Sequence, residues 1–126
     1  ASRPFSRVIG IELSQQLRAE AIRNVAHTRV RRRCPVEILG VDAAEFEVPA
    51  DVSAVYFYNP FGAGTMKAVI ERITQSLERR SRLLWVLAYN PPTLEQAAQG
   101  RLSLSAVARG RTVYPAIEWA VFRAQP

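Results

Sequence analysis

The chain is poor in the residues that most often do chemistry alone: among 126 residues there is one cysteine, Cys34, one histidine, His27, and one lysine, Lys67. A single cysteine forbids an intrachain disulfide and excludes a cysteine-based metal cluster, and no metal site is expected. Cys34 has no histidine close by in sequence to activate it, so it reads as a buried or incidental thiol. His27 falls at the end of a probable helix beside an arginine-rich loop and reads as a surface histidine. No apolar stretch approaches the roughly 18 residues that cross a bilayer, and the opening segment Ala1 to Arg7 lacks the apolar core of a secretory signal. The expectation is a cytoplasmic protein with no membrane partner.

What is present suits a globular domain, with 48% hydrophobic and 22% charged residues. The length fits one domain over 1–126. The net charge of +6 is carried almost wholly by arginine. Two clusters stand out, Arg29-Val30-Arg31-Arg32-Arg33 and Arg79-Arg80-Ser81-Arg82. Both follow predicted helices and precede predicted strands, where cations complement the negative end of the helix dipole. Neither is interleaved with the aromatics that a single-strand groove would use, so nucleic acid is not the expected partner.

Hydrophobic periodicity gives the order of elements. An apolar strand, Val8 to Ile11, precedes a helix from Ser14 to His27, with Ser14 as N-cap and Leu17, Ala21, Ile22 and Val25 on one face. Val36 to Val41 is a second strand and Ala54 to Tyr58 a third. Thr65 is the expected cap of a helix running to about Arg80, whose buried face carries Met66, Val69, Ile70, Ile73 and Leu77. Leu83 to Tyr89 is a fourth strand, followed by a short helix near Thr93 to Gln99. Leu102 to Val107 and Ile117 to Arg123 are extended. Alternation followed by a terminal pair of strands predicts an α/β fold with a mostly parallel sheet and an antiparallel strand near one edge.

Three of these strands end on polar side chains: Glu12, Asp42 and Asn59. In an open α/β sheet the carboxyl ends of neighbouring strands line one crevice, so the three could converge on a nucleotide-like ligand. A carboxylate at the place of Glu12, beside Leu13, offers two acceptor oxygens to a ribose diol, although an acid there also stabilises a helix N-terminus. Asp42 could accept from an adenine amine while the N–H of Ala43 meets a ring nitrogen, or could simply form an Asx turn. The Asn59 carboxamide with a neighbouring carbonyl could hold a planar amine, and Phe61 could stack on a flat substrate. Asn59-Pro60-Phe61-Gly62 also makes an ordinary turn.

Taken in order, these segments resemble the class I, Rossmann-like S-adenosylmethionine-dependent methyltransferases, from about Phe5 to Ala124. Val8-Ile9-Gly10-Ile11-Glu12-Leu13-Ser14 is similar to that family's second strand with its ribose-binding acid. Gly40-Val41-Asp42-Ala43-Ala44-Glu45-Phe46 is similar to the turn that meets the adenine. Tyr58-Asn59-Pro60-Phe61-Gly62 resembles the Asn-Pro-Pro-aromatic tetrad of amino-group methyltransferases, with Phe61 in place of the second proline. Tyr114-Pro115-Ala116-Ile117-Glu118-Trp119-Ala120-Val121-Phe122 looks like the antiparallel last strand. Asn90-Pro91-Pro92 also looks like the tetrad but comes one strand too late, so Asn90 reads as a turn residue.

The resemblance implies S-adenosylmethionine as cofactor and methyl transfer to a nitrogen or oxygen nucleophile. Glu12, Leu13, Asp42, Ala43 and Asn59 would bind the cofactor, and Asn59, Pro60 and Phe61 would border the reacting methyl group. It also implies a first strand and glycine-rich loop ahead of Val8, for which only Ala1 to Ser6 is available. The expectation is therefore an N-terminally incomplete, C-terminal portion of a methyltransferase, inactive alone, with two sheet edges left unpaired. A homodimer is one way to cover them. Two other classes fit the residues: an NAD(P)-dependent oxidoreductase, in which Glu12 would again hold a ribose, and a non-catalytic Rossmann-like scaffold that binds an acidic partner through its arginines.

Overall fold

The computed structural model describes residues 5–58 and 61–126. They divide into two compact units, Ala1–Ala43 and Ala44–Pro126. The first holds β1 (Val8–Ile11), α1 (Gln15–His27) and β2 (Val36–Leu39). The strands pair in parallel, Val8 opposite Val36 through Ile11 opposite Leu39. Ser14 is the N-cap of α1, and its hydroxyl accepts from the Leu17 N–H at 3.3 Å. One orphan donor of the first turn is thereby satisfied. Among the described residues of this unit none is buried, and on α1 Leu17 and Ile22 remain 52% and 47% exposed.

The second unit holds β3 (Ala54–Tyr58), α2 (Ala63–Arg79), β4 (Leu84–Tyr89), α3 (Pro92–Ala98), β5 (Ser103–Arg111) and β6 (Glu118–Gln125). Its sheet has the order β3-β4-β6-β5, parallel between β3 and β4 and antiparallel on both sides of β6. The α/β architecture with parallel strands and an antiparallel C-terminal strand is the one expected. The core lies here. Met66, Val69, Ile70, Ile73 and Leu77 of α2 are buried, as their helical spacing requires. Alternate residues of the strands, Leu84, Val86 and Ala88 of β4 with Ala120, Phe122 and Ala124 of β6, complete it together with Leu94 and Ala97 of α3. On the other face of the sheet Tyr56, Tyr58 and Leu87 are exposed.

Several boundaries differ from expectation: β2 stops at Leu39, short of Val41, and β4, α3 and β6 shift by one or two residues, while the start of α2 and the end of β5 differ for a visible reason. Helix α2 starts at Ala63 with Gly62 as N-cap, not at Thr65. The Gly62 carbonyl already accepts from the Met66 N–H at 3.0 Å, which places Thr65 inside the first turn. Strand β5 extends beyond Val107 to Arg111, because pairing with β6 resumes after an irregularity between Ala106 and Ala108. Gly110 sits in this extension beneath the Trp119 ring, whose Cζ2 lies 2.4 Å from where a Cβ would stand. A bulge and a glycine break the alternation of side chains, so sequence periodicity stops short of the true end.

The second arginine cluster has a structural duty that the helix dipole does not describe. Arg82 donates through Nε to the Val52 carbonyl at 2.6 Å, through Nη1 to the Ser76 and Arg80 carbonyls at 3.0 Å each, and through Nη2 to the Pro49 carbonyl at 3.3 Å. Its Nη2 also reaches the Ser76 hydroxyl at 2.9 Å. Arg72 and Arg79 of α2 donate to the carbonyls of Ala44 and Val48 at 3.1 Å each. An irregular segment cannot satisfy its own carbonyls, and these three guanidinium groups tie 44–52 down ahead of β3. Desolvation lowers the Arg82 pKa, with Arg80 adding to the effect, Asp51 opposing it and Arg79 adding again. The group nonetheless stays charged, as an arginine does in proteins.

Candidate functional site

The first unit places Glu12 and Asp42 at one end of its sheet. Glu12 directly follows β1 and its N–H donates to the Leu39 carbonyl of β2 at 3.0 Å, while Asp42 lies three residues beyond Leu39. Both acids therefore stand at carboxyl ends of adjacent parallel strands, the edge where open α/β sheets bind ligands. The Glu12 carboxylate accepts from the Ser14 N–H through Oε1 at 2.7 Å. That bond fastens the carboxylate to the start of α1, so the helix-start role weighed for it is realised, with the second oxygen unassigned by that contact. Leu13 is 66% exposed, and Asp42 and Ala43 are half-buried.

Arg18 of α1 lies across Gly40, its Nη1 1.8 Å from where a Cβ would be. A side chain at Gly40 would push the guanidinium aside from the end of β2. This contact is not visible as a motif, because the two residues lie on different elements.

In the second unit, Asn59 and Pro60 fall outside the described residues. Phe61 is half-buried and its ring meets Phe57 edge-on, with centroids 6.3 Å apart. Phe57 is buried. Phe61 is thus anchored to a core side chain just before α2 begins.

Sequence reasoning missed a group of side chains at the carboxyl ends of β3 and β4. Tyr58 and Tyr89 end those strands in register, with ring centroids 5.4 Å apart, and Tyr56 meets Tyr89 edge-on at 6.1 Å. Desolvation raises the Tyr56 phenol above its ordinary pKa, and Tyr89 and Tyr58 raise it further. It therefore stays neutral through the physiological range. A cavity of about 480 Å³ is lined by Tyr58, Tyr89, Asn90, Arg111, Ile117 and Glu118, together with Ala116. Its rim is fixed by hydrogen bonds. The Asn90 N–H donates to the Glu118 carbonyl at 2.8 Å, and Thr112 and Ile117 exchange a bond between the Thr112 N–H and the Ile117 carbonyl at 2.9 Å. The Ile117 N–H donates back to the Thr112 hydroxyl at 2.9 Å. Asn90 has φ 56, the left-handed region that asparagine tolerates, which matches its reading as a turn residue. The signal that could have found this site was aromatic residues at the ends of two neighbouring strands.

His27 and Cys34 play no visible part. The His27 ring shares a 2.7 Å hydrogen bond with the Arg23 carbonyl of its own helix, and Cys34 is half-buried. Among the described residues no cluster of acids, histidine and cysteine could hold a metal ion, and no helix is long and apolar enough to cross a membrane.

The mixed α/β fold, with parallel strands and an antiparallel C-terminal strand, is Rossmann-like and shared with methyltransferases of solved structure. Solved structures with this fold include the N-methyltransferase NodS from Bradyrhizobium japonicum WM9, similar at TM-score 0.64 and 11% identity over 95% of this chain and 85% of that one. The candidate methylase HI0767 from Haemophilus influenzae is similar at TM-score 0.53 and 12% identity, over 94% of this chain and 66% of that one. The candidate methyltransferase YhhF from Escherichia coli is similar at TM-score 0.54 and 15% identity, over 96% and 66%. This chain thus spans just under two thirds of the length of two of these three. No family model and no curated protein matches the sequence.

Proposed function

We propose that this chain belongs to an S-adenosylmethionine-dependent methyltransferase that acts on a nitrogen or oxygen nucleophile. The observation that carries the reading is the placement of Glu12 and Asp42 at the carboxyl ends of two adjacent parallel strands, in a fold shared with methyltransferases. The donor set suits the cofactor. A ribose diol donates two hydrogen bonds, and the Glu12 carboxylate retains an oxygen beyond the one that meets Ser14. Asp42 and the Ala43 N–H would take the adenine, with Leu13 alongside. Asn59, Pro60 and Phe61 would border the acceptor.

Held by Glu12, Leu13, Asp42, Ala43 and Asn59, the cofactor would supply an activated methyl group to the lone pair of the acceptor. The protein's part is to align the reactants and exclude water. Strands β1 and β3 each pair on one side only among the described residues. A further strand along the open edge of β1, bringing a glycine-rich turn, would supply the cradle for the methionine end. The oxidoreductase reading shares Glu12 but has no support from the methyltransferase likeness.

Titration of S-adenosylmethionine into the full-length protein tests this. Glu12→Ala is expected to weaken binding by about 1.5–3 kcal/mol, the scale of hydrogen bonds to a charged group. Unchanged affinity by calorimetry removes Glu12 from the site.

A further inference from the structure

We infer that the cavity lined by Tyr58, Tyr89, Arg111 and Glu118 binds a small aromatic carboxylate carrying a ring hydroxyl or amine. The identification of this ligand as the methyl acceptor rests on the methyltransferase reading; the recognition chemistry does not. The cavity lies wholly within the second unit, and its size sets the first limit. At about 480 Å³ it has room for one ring system with substituents.

The lining sets the chemistry. Tyr58 and Tyr89 present two tilted rings 5.4 Å apart at the ends of paired strands. Such rings meet a planar ligand edge-on or offset. Arg111 closes β5 and Glu118 opens β6, directly opposite each other in the ladder, yet among the described residues they make no ion pair. Both line the cavity and are exposed, so each can exchange its water for a ligand group that complements it. The guanidinium fork matches a carboxylate. The Glu118 carboxylate, acceptor only, matches an O–H or N–H. An aromatic ring with a carboxylate and a hydroxyl or amine satisfies the rings and both charges together, and the hydroxyl or amine is the kind of nucleophile that the methyl-transfer reading requires.

The walls are built to persist. Thr112 ties both ends of the turn that carries Ala116 and Ile117, and the Asn90 backbone fastens the β4 end to Glu118. Neither Glu12 nor Asp42 lines this cavity, so the two sites are tested separately.

The test uses the 126-residue chain without cofactor. Its tyrosine and tryptophan fluorescence is titrated with 4-hydroxybenzoate, its amide 4-hydroxybenzamide, benzoate and 4-hydroxycyclohexanecarboxylate. 4-Hydroxybenzoate is expected to bind at least about tenfold tighter than each of the other three. Arg111→Gln is expected to remove the preference for carboxylate over amide, and Glu118→Gln the preference for 4-hydroxybenzoate over benzoate, with the circular dichroism of both variants unchanged. Equal binding of acid and amide, an Arg111→Gln variant that keeps the preference, or no saturable binding at millimolar concentration overturns the inference. A chain that binds 4-hydroxybenzoate while the full-length protein ignores S-adenosylmethionine leaves the site standing and removes only its role as acceptor pocket.

Discussion

Arg82 shows how much a single residue can carry when its partners are far away in sequence. Its guanidinium serves four backbone carbonyls and one hydroxyl, drawn from the loop before β3 and the end of α2. A lysine keeps the charge and loses the planar fork, so Arg82→Lys leaves several of those acceptors unserved. Urea unfolding is expected to show a loss of about 2 kcal/mol for Arg82→Lys, within the range for hydrogen bonds to a charged group. An unchanged midpoint would show that water replaces the fork without cost. In the sequence Arg82 was indistinguishable from its neighbours Arg79 and Arg80, and a charge cluster after a helix suggested only the dipole. Glu12 was legible because its position, one residue after a strand, is itself the signal.

At the scale of elements the two helices make a contrast that periodicity alone does not predict. Both show apolar residues at helical spacing. Helix α2 buries Met66, Val69, Ile70, Ile73 and Leu77, whereas α1 buries none of its residues. Ile73→Ala is expected to cost about 2–5 kcal/mol, since a buried aliphatic is lost and a cavity remains. Leu17→Ala in the same chain is expected to stay within about 0.5 kcal/mol, because Leu17 is 52% exposed. Thermal or urea unfolding of the two variants side by side measures the difference. Pattern names a helix and its apolar stripe, but whether anything covers the stripe is a tertiary matter. The same limit explains β5, whose bulge and Gly110 hide its full length. Aromatic pockets such as that of Tyr58 and Tyr89 are equally invisible until strand register places their members together.

Across the whole molecule, protection from hydrogen exchange is expected to follow the distribution of the core. Amides of β4, β6 and α2 should exchange slowest, with Leu84, Val86, Ile70 and Phe122 all buried to 1% exposure or less. Amides of β1, β2 and α1 should exchange faster by orders of magnitude, because the described residues of the first unit include no buried side chain. Uniform slow exchange over both units would contradict this. The order of elements along the chain was readable from the alternation of strands and helices, and the antiparallel C-terminal strand from the lack of a helix between the last two, whereas the strand order within the sheet emerged only in the fold. The division into two units was not, because it depends on which contacts form and not on which elements exist.

Strand β3 has a further consequence for the protein in concentrated solution. Its residues Ala54 to Tyr58 carry no charge and no proline, and among the described residues its ladder pairs with β4 alone, beside the exposed Tyr56 and Tyr58 rings. Natural sheets guard such edges with lysine, proline or a bulge, none of which occurs here. A short apolar strand with a bare edge is a template for cross-β growth. Light scattering of the 126-residue chain is expected to rise with concentration, and Tyr56→Lys to suppress the rise, since a cation in mid-strand repels a second copy.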